Sequence, residues 1–203
     1  MKEKKRCPMF NNLLPASNRE KGVGLIVVFL VLVFLQVVGL ALLMVTSTGS
    51  KAAGSIRSQQ QALNAAEAGF GMAWSEIEIL FEDGEWNSFS GHYLLEPSGI
   101  DAPQADNYFR KLSDQELLDL IDPDGDGNPS LNTVIFCRQP YIQNQDGSFN
   151  PRYTYTVFLI DDEATGGTPD SRDALLVCIG CVGVGKNMTT SRLEIELSLE
   201  DEG

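Results

Sequence analysis

The chain has 203 residues, of which 43% are hydrophobic, and its 15 Lys/Arg against 28 Asp/Glu give a net charge of −13. Positive charge gathers at the start: residues 1–22 hold six Lys/Arg and two Glu, so the rest carries nine Lys/Arg against 26 Asp/Glu, a balance of −17. A surface so acidic excludes nucleic acid as an expected partner, because binding phosphates needs a basic one, and four cysteines are too few for a disulfide scaffold.

Val23 to Ser50 is an uncharged run of 28 residues, and its first 23, VGLIVVFLVLVFLQVVGLALLMV, are almost wholly apolar. At 1.5 Å per residue a helix of that length is roughly 34 Å long, enough to cross a bilayer core. The flanks predict its orientation. Lys2, Lys4, Lys5, Arg6, Arg19 and Lys21 precede the run, against Lys51 and Arg57 after it, so the N-terminus is expected in the cytoplasm and the chain from about Lys51 outside the membrane. A removable secretory signal cut near Ser47-Thr48-Gly49 is the competing reading, but the apolar core of such a signal is usually about 7–15 residues.

No proline interrupts the chain between Pro15 and Pro97, and residues 52–80 are rich in Ala, Gln, Glu and Leu, so the helix is expected to continue into the aqueous phase. Ile56, Leu63, Ala66, Phe70, Ala73, Ile77 and Leu80 recur at helical spacing and predict an amphipathic stripe over residues 51–80 packed on the chain's own domain. From 81 to 203 the pattern changes. Residues 82–105 are rich in turn formers and read as irregular connection. Ser113-Asp114-Gln115-Glu116 is a capping box opening a short helix, Asp114 to Ile121. Period-2 patterns then predict strands at Thr133 to Cys137, Tyr153 to Ile160, Leu175 to Val184 and Arg192 to Leu199, the last with Leu193, Ile195, Leu197 and Leu199 on one face and a wet opposite face. A long helix followed by antiparallel strands is an α+β arrangement, with the sheet against the exported half of the helix.

The order of a basic leader, Lys21-Gly22, an apolar run opening Val23-Gly24-Leu25-Ile26-Val27-Val28, and then Gln61-Ala62-Leu63-Asn64-Ala65-Ala66-Glu67-Ala68-Gly69 resembles the N-terminal region of type IV minor pilins of the PilX kind. The resemblance covers residues 19 to about 75, and the Ala-Ala-Glu-Ala-Gly string is its more specific half. It implies a pilin-like fold: a leader, residues 1–22; a transmembrane and filament-core helix, residues 23–50; and an exported α+β domain. It further implies cleavage between Gly22 and Val23 by a prepilin peptidase with methylation of Val23, residence in the bacterial inner membrane with the domain in the periplasm, and later transfer to a surface pilus. The implied partners are that peptidase, other major and minor pilins, the assembly machinery and inner-membrane lipid. Ordinary pilins carry a glutamate five residues into the mature chain. Here that position is Val27, which cannot pair with a neighbour's N-terminal amine and so points to a low-copy position in assembly or display, cell adhesion included. For Glu67 a solvated helix position stands beside a subunit contact, and the small residues around it permit close approach of another backbone.

Asp122-Pro-Asp124-Gly-Asp126-Gly127-Asn128 alternates carboxylates on a glycine-rich loop, a pattern that can turn oxygens inward around calcium. Counting Asp122 as the first position places Thr133 where an EF-hand has its glutamate, so the loop is not a complete EF-hand. A shortened calcium loop of Asp122, Asp124, Asp126 and Asn128 and a solvent-facing acidic turn both remain open. So do three readings of Cys137, Cys178 and Cys181: a disulfide from Cys137 to one of the other two, no disulfide, or redox or zinc chemistry with His92. No arrangement for catalysis is recognisable, and no enzyme is expected. Two functional classes remain: a minor pilin, with a GspK-like secretion pseudopilin as a nearer relative of it, and an uncleaved, signal-anchored, calcium-dependent binding module.

Overall fold

A computed structural model describes residues 19–161, 171–185 and 188–199, with side chains of the first helix from Gly24 on, Thr48 and Ser50 excepted. That helix, α1, runs from Arg19 to Glu82. The chain forms two compact units, divided between Ala52 and Ala53. Most of the expected leader, residues 1–18, lies outside the described residues. The Gly22–Val23 peptide lies within α1.

In the first unit α1 is apolar and uncovered, with Leu25, Phe29, Phe34 and Leu43 all exposed. By length and composition it could cross a membrane, as an anchor or as a signal sequence. Thr46, a polar residue near its end, donates its hydroxyl to the Leu42 carbonyl at 2.8 Å, so it adds no unpaired group to an apolar stretch.

The second unit is a four-stranded antiparallel meander in the order β1-β2-β3-β4, covered on both faces. The strands are β1 (Val134–Pro140), β2 (Tyr153–Ile160), β3 (Asp173–Val182) and β4 (Thr189–Ser198). Residues 53–82 of α1 lie on one face, where Ala66, Ala73 and Ile77 pack with Tyr155, Val157, Leu176 and Cys178. The other face carries Leu94, Ile100, Phe109 and a short helix, α2 (Asp114–Ile121), against Phe158, Ile160 and Val177. Because both faces are covered, β2 and β3 are nearly continuous apolar runs.

The helix reaches the sheet through small residues. Gly180 in β3 has no space for a side chain: a Cβ there would overlap the carbonyl oxygen of Ala62 and the amide nitrogen of Ala66, and would lie 2.9 Å from the Ala65 methyl. One turn on, a Cβ at Gly69 would meet the Tyr155 side chain at 3.0 Å. The Ala-Ala-Glu-Ala-Gly string therefore seats α1 on its own third strand, and Glu67 is exposed. The buried stripe accordingly shares Ala66, Ala73 and Ile77 with the predicted one and differs at its start. Its centre is Ala62, Ala66, Gly69, Ala73 and Ile77, while Leu63 is 39% exposed and Ile56 59%.

Gly84, at φ 72°, ends α1 and turns the chain so that the Trp86 N–H bonds the Leu80 carbonyl at 2.9 Å. Phe81 then packs edge-on against Trp86 and Phe89. Strand β2 and helix α2 have the predicted bounds; β1 extends to Pro140, and β3 and β4 each begin two or three residues earlier than predicted. The expected wet face of β4 is partly covered: Arg192 bonds Asp114 and the Phe109 and Leu112 carbonyls, and Glu194 pairs with Arg110 at 2.9 Å.

Candidate functional site: the acidic loop and its arginine

The Ser113 hydroxyl accepts the Glu116 N–H while the Glu116 carboxylate accepts the Ser113 N–H, which fixes where α2 begins. It ends at Asp122, whose N–H bonds Leu118. Gly125 and Gly127, at φ 74° and 87°, curl the next residues back over the helix end. There Gly125 N–H donates to Asp122 Oδ1 at 3.0 Å and Gly127 N–H to Oδ2 at 3.2 Å. Asn128 donates to Asp126 through both its backbone N–H, at 2.7 Å, and its side-chain amide, at 2.8 Å; these bonds hold the Asp126 carboxyl below its usual pKa.

The loop brings Asp122, Asp124 and Asp126 together, with one oxygen of each within 4.8 Å of the others. Among the described residues this is the group of acids, histidines and cysteines with spacing suited to a metal. It already holds a positive charge. Arg138 Nε donates to Asp122 Oδ2 at 2.5 Å, and its Nη2 lies 3.9 Å from Asp119. Arg138 can reach because β1 is irregular there: the ladder with β2 shifts register between Phe136 and Gln139, Arg138 adopts φ 41°, and its N–H turns to the buried Thr156 hydroxyl at 3.0 Å.

Asp122 is only 1% exposed, and both its oxygens already accept, Oδ1 one N–H and Oδ2 one N–H and a guanidinium. A calcium ion at the convergence of the three carboxylates would have to share Asp122 with a fixed cation, and Asn128 turns its amide nitrogen, not its oxygen, toward Asp126. The donor set fits calcium poorly. Its evident chemistry is structural: a buried carboxylate, paired and hydrogen-bonded, ties the end of α2 to β1. Arg138 was not among the sequence candidates, although a lone arginine directly after the apolar run Val134-Ile-Phe-Cys137 is the signal that could have found it. The loop, Arg138, Pro140, Thr154 and Met188 border an open cleft of about 500 Å³.

Of the three readings of the cysteines, the structure has the one without a disulfide: all three described cysteines are free. Cys137 lies on β1 and the other two on β3, with β2 between, so the strands are about 9–10 Å apart, beyond the reach of a disulfide. Cys178 faces α1 and Cys181 the opposite side of the sheet. Burial pushes both thiols up to about 12, and burial followed by the Asp122 charge pushes Cys137 up to about 11. His92, the other zinc candidate, is stacked on Trp86 at 3.8 Å between ring centres.

Comparison with known protein families, with curated proteins and with solved structures found no match to this chain.

Proposed function

We propose that the chain is a minor pilin of a type IV pilus, cleaved after Gly22 by a prepilin peptidase and acting in pilus assembly or surface display. The observation that carries the reading is the order of parts along the chain. A basic leader ends in Lys21-Gly22, an uncharged apolar segment follows, and the same helix continues to Glu82, where an alanine-rich stripe seats it on an antiparallel sheet. A segment of this kind is soluble in lipid and equally able to pack among like helices, so one helix can serve first as a membrane anchor and then as a filament core. Val27 supports a low-copy place, since it offers no carboxylate for a neighbouring amine. The net charge of −17 on the remainder suits a domain displayed to solvent.

The test is the mass of the mature protein. The reading predicts loss of residues 1–22, a methylated Val23, and retention of the leader when Gly22 is replaced by phenylalanine. Wild-type protein that keeps Met1 to Gly22 would instead make it a permanently anchored domain and overturn the proposal.

A further inference from the structure

The two edges of the sheet differ. Strand β1 is blunted by two register shifts, by the left-handed Arg138 and by Pro140, devices that keep an edge from pairing with another chain. Strand β4 has none of them. It pairs with β3 through ten consecutive positions, Asp173 with Ser198 to Val182 with Thr189, without a bulge. Among the described residues no backbone group bonds its far side.

Beside this edge lies an apolar groove of about 220 Å³. Trp74, Ile77 and Phe81 of α1 form one wall, Leu197 and Leu199 the other, and Phe89 joins them. Along the same flank of the helix Leu63 and Trp74 remain 39% and 49% exposed. Leu193, Ile195 and Leu197, alternating along β4, present their side chains to the α1 face of the sheet. Acid rims both sides. Glu78 and Glu82 border the groove, and Glu194 and the exposed Glu196 occupy the opposite face of β4.

We propose that the open edge of β4, with the groove between it and α1, is a strand-addition site for an extended segment of a partner protein that alternates apolar with basic residues. An added strand satisfies the free N–H and C=O groups of β4, and its side chains point alternately to the two faces. Those on the helix side meet Trp74 and Leu63. Those on the other side come level with Glu194, which Arg110 already pairs, and with the exposed Glu196, where lysine or arginine is the complementary charge. The net charge decides against a second copy of this chain, because two domains that share its acidity repel. The site stands on the geometry of the second unit and does not depend on cleavage at Gly22.

The probe is a ten-residue synthetic peptide alternating lysine with valine, added to the full chain in detergent micelles and followed by amide hydrogen exchange. Binding should slow exchange in residues 189–198 and leave β1 unchanged. Trp74→Ala should weaken binding roughly tenfold, and Glu196→Lys roughly fivefold; both positions are exposed, so each variant should keep the native exchange pattern elsewhere. A peptide of the same composition with its valines grouped together should not protect β4. No binding, equal binding of the grouped peptide, protection away from β4, or a dimer of the chain already protected at β4 without peptide would each overturn the proposal.

Discussion

A methyl group at residue 180 has nowhere to go, because what it would strike is helix backbone and not a movable side chain. Gly180→Ala should therefore destabilise the second unit by about 3 kcal/mol, the upper end for overpacking, measured by urea unfolding of the full chain in detergent. A variant within 0.5 kcal/mol of wild type, on the order of a neutral surface change, would mean that helix and sheet can part at little cost. Arg138 carries the second prediction. Its removal leaves Asp122 buried without its countercharge, so Arg138→Ala should cost about 3 kcal/mol, and adding Asp122→Asn should recover part of the loss. These two residues also mark the limit of the sequence reading. The aspartates were legible because they are close in sequence and alternate on a glycine loop. Arg138 was not, because its place beside Asp122 depends on a bulge in a strand that periodicity reads as regular.

Elements were legible where one local rule decides them. The capping box set the start of α2, and period-2 patterns identified the strands, although burial on both faces makes β2 and β3 nearly continuous apolar runs. The helix stripe was read in part: Ala66, Ala73 and Ile77 are buried as predicted, but alanine and glycine carry little hydropathy, and close approach to Gly180 selects Ala62 and Gly69 over Leu63 and Ile56. The cap offers a test by pH. Hydrogen bonds from Ser113 hold the Glu116 carboxyl below its ordinary pKa, so their contribution is complete above the unfolded value and is lost as pH falls through the lower, folded one. Ser113→Ala should thus destabilise the protein at pH 7, and the difference from wild type should shrink in acid below the ordinary carboxyl range. Of the three readings left open for the cysteines, strand order selects free thiols, because β2 lies between β1 and β3. Cys137, Cys178 and Cys181 should resist iodoacetamide at pH 8 in the folded protein, react after denaturation, and show no mass change on reduction.

At the scale of the whole molecule, the α+β class followed from the order of patterns along the chain, whereas the covering of both sheet faces did not, because the layer from Leu94 to Phe109 lacks regular structure and so has no period to read. The occupancy of the acidic loop has a global readout: with Arg138 already in place, the melting midpoint should be the same in millimolar calcium as in chelator. A rise in calcium would show that the guanidinium yields to the ion. The seat at Gly180 also imposes an order of events on a chain made from its N-terminus. Residues 62–77 of α1 are synthesised early, yet the surface they rest on does not exist until the third strand has been made and laid against the second. For most of the protein's synthesis this alanine stripe is bare, and its shelter arrives almost last.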